Sequence, residues 1–117
     1  MLRVVMNWAT NDIEQLKTGR TVKFRPRGHS MAPKVNDGDR VTVEPLGEDT
    51  ELAVGDIVLC TVRGSQYLHL IKALSPGRAQ IGNNRGRING WIGRAGIHGR
   101  CVDVERSPAP GRVAKDA

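Results

Sequence analysis

Aromatic side chains are nearly missing from this chain: its 117 residues include two tryptophans, one tyrosine and one phenylalanine. So few rings leave little for the interleaved stacking platforms on which single-stranded nucleic acids are commonly held. Cysteine is scarce too. Cys60 and Cys101 lack the C-x-x-C spacing of a metal or redox site, and each lies in an apolar run. A buried thiol in a reducing compartment is the expected state of both. Long hydrophobic runs are absent: no span nears the roughly eighteen apolar residues of a membrane helix. The few apolar positions before Asn7 are too short for a secretory core. The expectation is a soluble, cytoplasmic protein with no membrane span.

Acidic residues are outnumbered, 12 against 18 basic, for a net charge of +6, and thirteen of the basic residues are arginine. Nucleic acid therefore enters as a candidate partner, through Arg78, Arg85, Arg87, Arg94 and Arg100 with Trp91 as a stacking surface. A solvated basic surface is the preferred reading, because aromatic interleaving is nearly absent.

What is present points to β structure. Fourteen glycines and short runs of β-branched residues suit many short strands joined by tight turns. The length fits one domain, taken as residues 1–106. The tail from 107 to 117, rich in Pro, Gly and Ala, is expected to be disordered.

Asn11 followed by Glu14 suggests a capped helix from Asp12 to Thr18 that ends at Gly19, with Ile13 and Leu16 facing inward. "TVKFRP" alternates and stops at Pro26, predicting a strand that delivers the chain into the loop "RGHSMAPKVNDGD". "DGDRVTVEPL" and "VGDIVLCTVRG" each place a Gly-Asp pair before a strand. In "SQYLHLIKALSPG", period two puts Tyr67, His69, Ile71 and Ala73 on one face and Leu68, Leu70, Lys72 and Leu74 on the other. A short strand "RAQIG", a loop "NNRGRINGW" and a final strand "GRCVDVE" follow.

In that order, "GHSMAP", "DGD", "VGDIV", "YLHLI" and "IGNN" resemble the S24/S26-type serine peptidases, the family of signal peptidases and self-cleaving LexA-like repressors. The resemblance runs from Val22 to Val104. It implies a mainly β fold of coiled, partly barrel-like antiparallel sheets with the serine loop over the base strand, here with one short N-terminal helix. It places Ser30 at the nucleophile position and His69 at the base position, which is histidine in the endoplasmic-reticulum and archaeal type. Asn83 stands where the histidine-type members carry an acid at a Gly-Asp-Asn turn, and is the candidate orienter of His69.

Serine and histidine with an orienting group are a recurrent solution for acyl transfer on unrelated folds. Gly28 has no side chain to donate to an oxyanion, which leaves the backbone N–H of Ser30 for that task. Met31 and Pro33, with Gly28, are read as shaping the loop. Parity turns Lys72 away from the serine. His29 and His98 are read as surface residues, and no spacing assembles a metal site; neither metal nor cofactor is expected.

The resulting expectation is a small serine peptidase acting on a peptide or protein, slowed because Asn83 brings no negative charge. Neither a membrane anchor nor a helix-turn-helix domain is expected before the serine, so the usual substrates of the family are not implied. Two alternatives stand beside it: a pseudo-peptidase serving as a peptide-binding or dimerising module, homodimer included, and a basic β-domain that binds nucleic acid.

Overall fold

The computed structural model describes residues 8–107. One short helix, α1 (Thr10–Lys17), precedes seven strands: β1 (Val22–Phe24), β2 (Arg40–Pro45), β3 (Ile57–Val62), β4 (Ser65–Ser75), β5 (Arg78–Gly82), β6 (Ile88–Gly93) and β7 (Ile97–Glu105). The strands form a single sheet in the order β1-β2-β7-β3-β4-β5-β6, and every pairing is antiparallel. The chain is thus mainly β, as its glycines and alternating runs predict. No helix among the described residues is long and apolar enough to cross a membrane.

Two apolar clusters hold the sheet. The first joins Ile13 and Leu16 of α1 to Val41, Val43, Leu59, Leu68 and Leu70. The second gathers Val58, Cys60, Val62, Ile71, Ile81 and Ile97. Leu59 and Val58 are neighbours in sequence yet enter different clusters, because successive strand side chains leave opposite faces. β3 and β4 are therefore buried on both sides. β3 also touches β6, although two strands lie between them in the sheet order, so this part of the sheet curls on itself. Gly90 of β6 faces Val62 there, where a Cβ would lie 3.5 Å from Val62 Cγ1.

Three local expectations are corrected. The helix begins at Thr10, with Ala9 in the cap position and no side-chain cap, so Asn11 does not start it. Its start is held by a strand instead: Ala9 N–H donates to Gln66 Oε1 at 2.6 Å, and Gln66 Nε2 donates to Thr10 Oγ1 at 3.0 Å. The helix does end at Gly19, in the left-handed region at φ 89°, with its N–H on the Leu16 carbonyl. The expected loop "NNRGRINGW" contains most of β6. In β4, strict alternation fails after Ile71: Ile71 pairs with Ile81 and Ala73 with Gln80, so Lys72 is an extra, bulged residue and Ala73 does not continue the face of Ile71. Of the tail, only Ser107 is described; the rest lies outside the described residues.

Gly99 marks the tightest join between helix and sheet. A Cβ at this position would lie 2.7 Å from both the Glu44 carbonyl oxygen and Val43 Cγ1, and 3.2 Å from Leu16 Cδ1. Gly99→Ala should therefore destabilise the protein by about 1–3 kcal/mol through overpacking. Gly93→Ala, whose Cβ meets only the Gly77 carbonyl at 3.9 Å, should stay within about 0.5 kcal/mol of wild type. Urea unfolding of the two variants measures the difference, and equal midpoints would refute it.

Candidate active site

The loop between β1 and β2 carries Ser30, and contacts to three neighbours shape it. Gly28, at φ 102°, adopts a conformation that side chains rarely allow, and its N–H donates to Asp37 Oδ1 at 2.7 Å. Met31 is buried at the start of a turn closed by the Val35 N–H on the Met31 carbonyl, while Pro33 stays exposed. Asn84 brackets the serine from the β5–β6 turn: its N–H donates to the Ser30 carbonyl and its Nδ2 to the Ala32 carbonyl, both at 2.9 Å.

Asp39 anchors the far end of the loop. Its buried carboxylate accepts the Asn36 and Ser107 N–H groups and the Arg106 guanidinium. Burial alone would raise its pKa, but these donors outweigh burial and hold the carboxyl below its usual range.

Ser30 Oγ lies 3.3 Å from His69 Nε2. His69 comes from the middle of β4, where it is 7% exposed and stacks on Tyr67 with ring centroids 4.7 Å apart. The strand and the loop, 39 residues apart, thus bring together the two groups singled out in the sequence. The Ser30 N–H finds no acceptor among the described residues and remains available to a developing oxyanion. The Lys72 amine is engaged elsewhere, on the Asn83 carbonyl at 3.0 Å.

The orienting contact comes from an unexpected residue. His69 Nδ1 meets Asn89 Oδ1 at 2.7 Å. Asn83, the expected orienter, is buried and turns its Oδ1 to the N–H groups of Arg85 and Arg87, at 2.8 and 2.9 Å. Asn83 therefore closes the β5–β6 turn and does not touch the imidazole. Asn89 reaches it because β6 is bulged at this position: Ile81 pairs with Gly90 and Gly82 with Ile88, leaving Asn89 over. Bulges re-aim side chains in this way beside functional sites. An isolated glycine within a strand is the sequence sign of such a bulge, and Gly90, at φ 142°, follows Asn89.

An amide oxygen only accepts, so its contact places the ring proton on Nδ1 and turns the lone pair of Nε2 toward the serine hydroxyl. Burial pulls the His69 pKa below its ordinary value; the Asn89 bond works in the opposite direction, and the Arg87 charge pulls down further. The neutral imidazole is thus favoured in the folded chain. Its contribution to stability is fully present above about pH 6.5 and is lost as pH falls through the depressed folded value.

The remaining candidates lie apart. His29 is exposed in the loop. His98 is half-buried, with Nε2 2.8 Å from Thr61 Oγ1. Among the described residues no three His, Cys, Asp or Glu side chains gather as metal donors. Cys60 is buried, which pushes its thiol up to about 12, and Cys101 is half-buried; both are free. The arginines divide. Arg94 and Arg100 donate to the carbonyls of Gly47 and Glu51, and Arg78 lines a hollow with Arg94. Arg85 and Arg87 belong to the Asn83 turn.

A histidine titration by NMR reads this arrangement directly. His69 should titrate below pH 6.5, carry its proton on Nδ1 when neutral, and titrate lower still in Asn89→Ala, which loses the bond that favours the cation. Arg87→Ala should move the midpoint up. A midpoint at or above 6.5, or a proton on Nε2, would contradict the geometry.

No protein-family model matches the chain, and neither does any curated protein.

Proposed function

We propose that this protein is a serine peptidase of the S24/S26 type, with the signal-peptidase and LexA-like fold, working in the cytoplasm on a peptide or protein substrate. The observation that carries this reading is the chain of contacts from Ser30 Oγ to His69 Nε2, 3.3 Å, and from His69 Nδ1 to Asn89 Oδ1, 2.7 Å. The first distance is long for a hydrogen bond between these groups, and such contacts tighten when substrate is bound.

The chemistry follows from the atoms. Ser30 Oγ attacks the carbonyl carbon of the scissile peptide while its proton passes to His69 Nε2. The carbonyl oxygen takes up negative charge against the Ser30 N–H. The C–N bond then breaks as Nε2 returns the proton to the leaving amine, and an acyl ester remains on Ser30. Water, deprotonated by the same Nε2, attacks the ester and releases the acid and the serine hydroxyl.

Asn89 holds the productive tautomer but supplies no charge for the imidazolium. Replacing the acid of a Ser-His-Asp triad by its amide lowers turnover about 10⁴-fold, in part by imposing the wrong tautomer. Here the tautomer is right, so the loss is confined to electrostatics. A slow enzyme is the result. The same missing charge, together with the positive Arg87, favours the second reading: a peptide-binding module that keeps the fold and has lost turnover.

Labelling of Ser30 by an uncharged fluorophosphonate, seen as a mass increase absent in Ser30→Ala, tests the nucleophile. Asn89→Asp should raise hydrolysis of a peptide library about 10- to 10³-fold, in a manner lost with Ser30→Ala, and should shift the acidic limb of the rate profile to higher pH. Peptide binding without labelling, in wild type and in Asn89→Asp, would decide for the binding module.

A further inference from the structure

A groove of about 410 Å³ opens beside Ser30 and His69, between the start of α1, the serine loop and the first half of β4. Its walls are apolar, from Trp8, Met31, Val35, Tyr67 and Leu68. The Trp8 wall is fixed by two contacts: its Nε1–H donates to the Gln66 carbonyl at 3.1 Å, and its ring meets Phe24 edge-on at 5.5 Å. Burial of Met31 and Val35 at 5% and 3% exposure makes the floor part of the core, so the groove is preformed.

Charge at the groove has one sign. Arg25 and Arg27 line it, and no aspartate or glutamate does. Neither arginine has a carboxylate partner among the described residues: Arg25 is held by the Gly38 carbonyl at 2.9 Å, and the two ion pairs of the described chain involve Arg100 and Arg106. Arginine presents a planar fork of donors suited to a carboxylate, and here two forks stand at the edge of an apolar cleft with their ionic capacity unused.

We propose that this groove selects peptides that carry an acidic residue next to a bulky apolar side chain, the apolar group entering between Trp8 and Met31 and the carboxylate pairing with Arg25 and Arg27. The inference rests on the peptidase reading for its substrate class, and extends it to a sequence preference. An acidic peptide fits better than nucleic acid because the two charges sit over an apolar hollow, whereas a phosphate backbone calls for a longer basic track.

The test uses Ser30→Ala, which cannot turn substrate over, and fluorescent peptides that differ only in having Glu, Gln or Lys beside a Leu. The Glu peptide should bind about 10-fold more tightly than the Gln peptide at low ionic strength, and the difference should shrink at 0.5 M salt through screening. Arg25→Gln with Arg27→Gln should abolish the Glu preference, and Arg25→Glu with Arg27→Glu should transfer it to the Lys peptide. Equal affinity for Glu and Gln, a preference that survives loss of both arginines, or displacement of the Glu peptide by an equimolar single-stranded oligonucleotide would overturn the proposal. Fluorophosphonate labelling of the wild type separates the two ideas. An acidic preference without labelling removes the catalytic reading and keeps the groove; labelling without an acidic preference does the reverse.

Discussion

A strand buried on both faces has no solvent in which to place a polar side chain, and β4 is such a strand from Leu68 to Ile71. His69 survives in it only because two other elements end against its ring, the serine loop at Nε2 and the bulge of β6 at Nδ1. Loss of Asn89 would strand the buried Nδ1 at a cost of about 1–3 kcal/mol, whereas the Ser30 side of the ring borders the open groove. The same contacts that satisfy the histidine align it with the hydroxyl. The site and the local fold are therefore one arrangement, and the supporting bonds reinforce it. Asn84 pins the serine carbonyl, Asp37 pins the Gly28 N–H, and Asp39 ties the far end of the loop to Ser107.

Electrostatically, the site suits a base better than a cation. A desolvated imidazole next to Arg87 stays neutral and ready to accept a proton, but the imidazolium that follows gains only a neutral dipole from Asn89. Availability of the base and stabilisation of its product are separate quantities, and this chain favours the first.

Much of the sheet was legible in the sequence because its signals are local. Alternation in "TVKF", "RVTVEP" and "IVLCTV" and the Gly-Asp pairs before two of the strands place β1, β2 and β3 within a residue or two. Ser30 and His69 were singled out only through the resemblance of "GHSMAP" and "YLHLI", taken in order with the Gly-Asp pairs, to the S24/S26-type motifs; alone, the loop reads as an ordinary turn and the histidine as a core residue. Asn89 was not legible. "RINGW" reads as loop because Asn and Gly dominate it, and only the pairing with β5 makes it a strand with one residue too many. The helix start escaped for a similar reason: Gln66 holds it from 57 residues away, a contact that no capping pattern encodes. Asn83 was misassigned because a buried asparagine at a turn serves the backbone as readily as it serves a ring.

Bulges also recur in β2–β7 at Val102 and in β3–β7 at His98, in addition to Lys72 and Asn89. Each resets the odd-even count along its strand, so the sheet behaves as an indexed track whose phase is corrected at fixed stations. Between Ser65 and Ile71 no such station exists. A single-residue insertion there, upstream of the histidine, would rotate it into the leucine cluster beneath α1 and present its neighbour to the serine. The turn from Gly47 to Thr50 lies outside any strand, so a change in its length leaves the phase untouched, whereas Gly55 and Asp56 already bond to the backbone of Ile71. Tolerance to insertions and deletions should accordingly be sharply uneven along this small chain, set by strand arithmetic as much as by distance from Ser30.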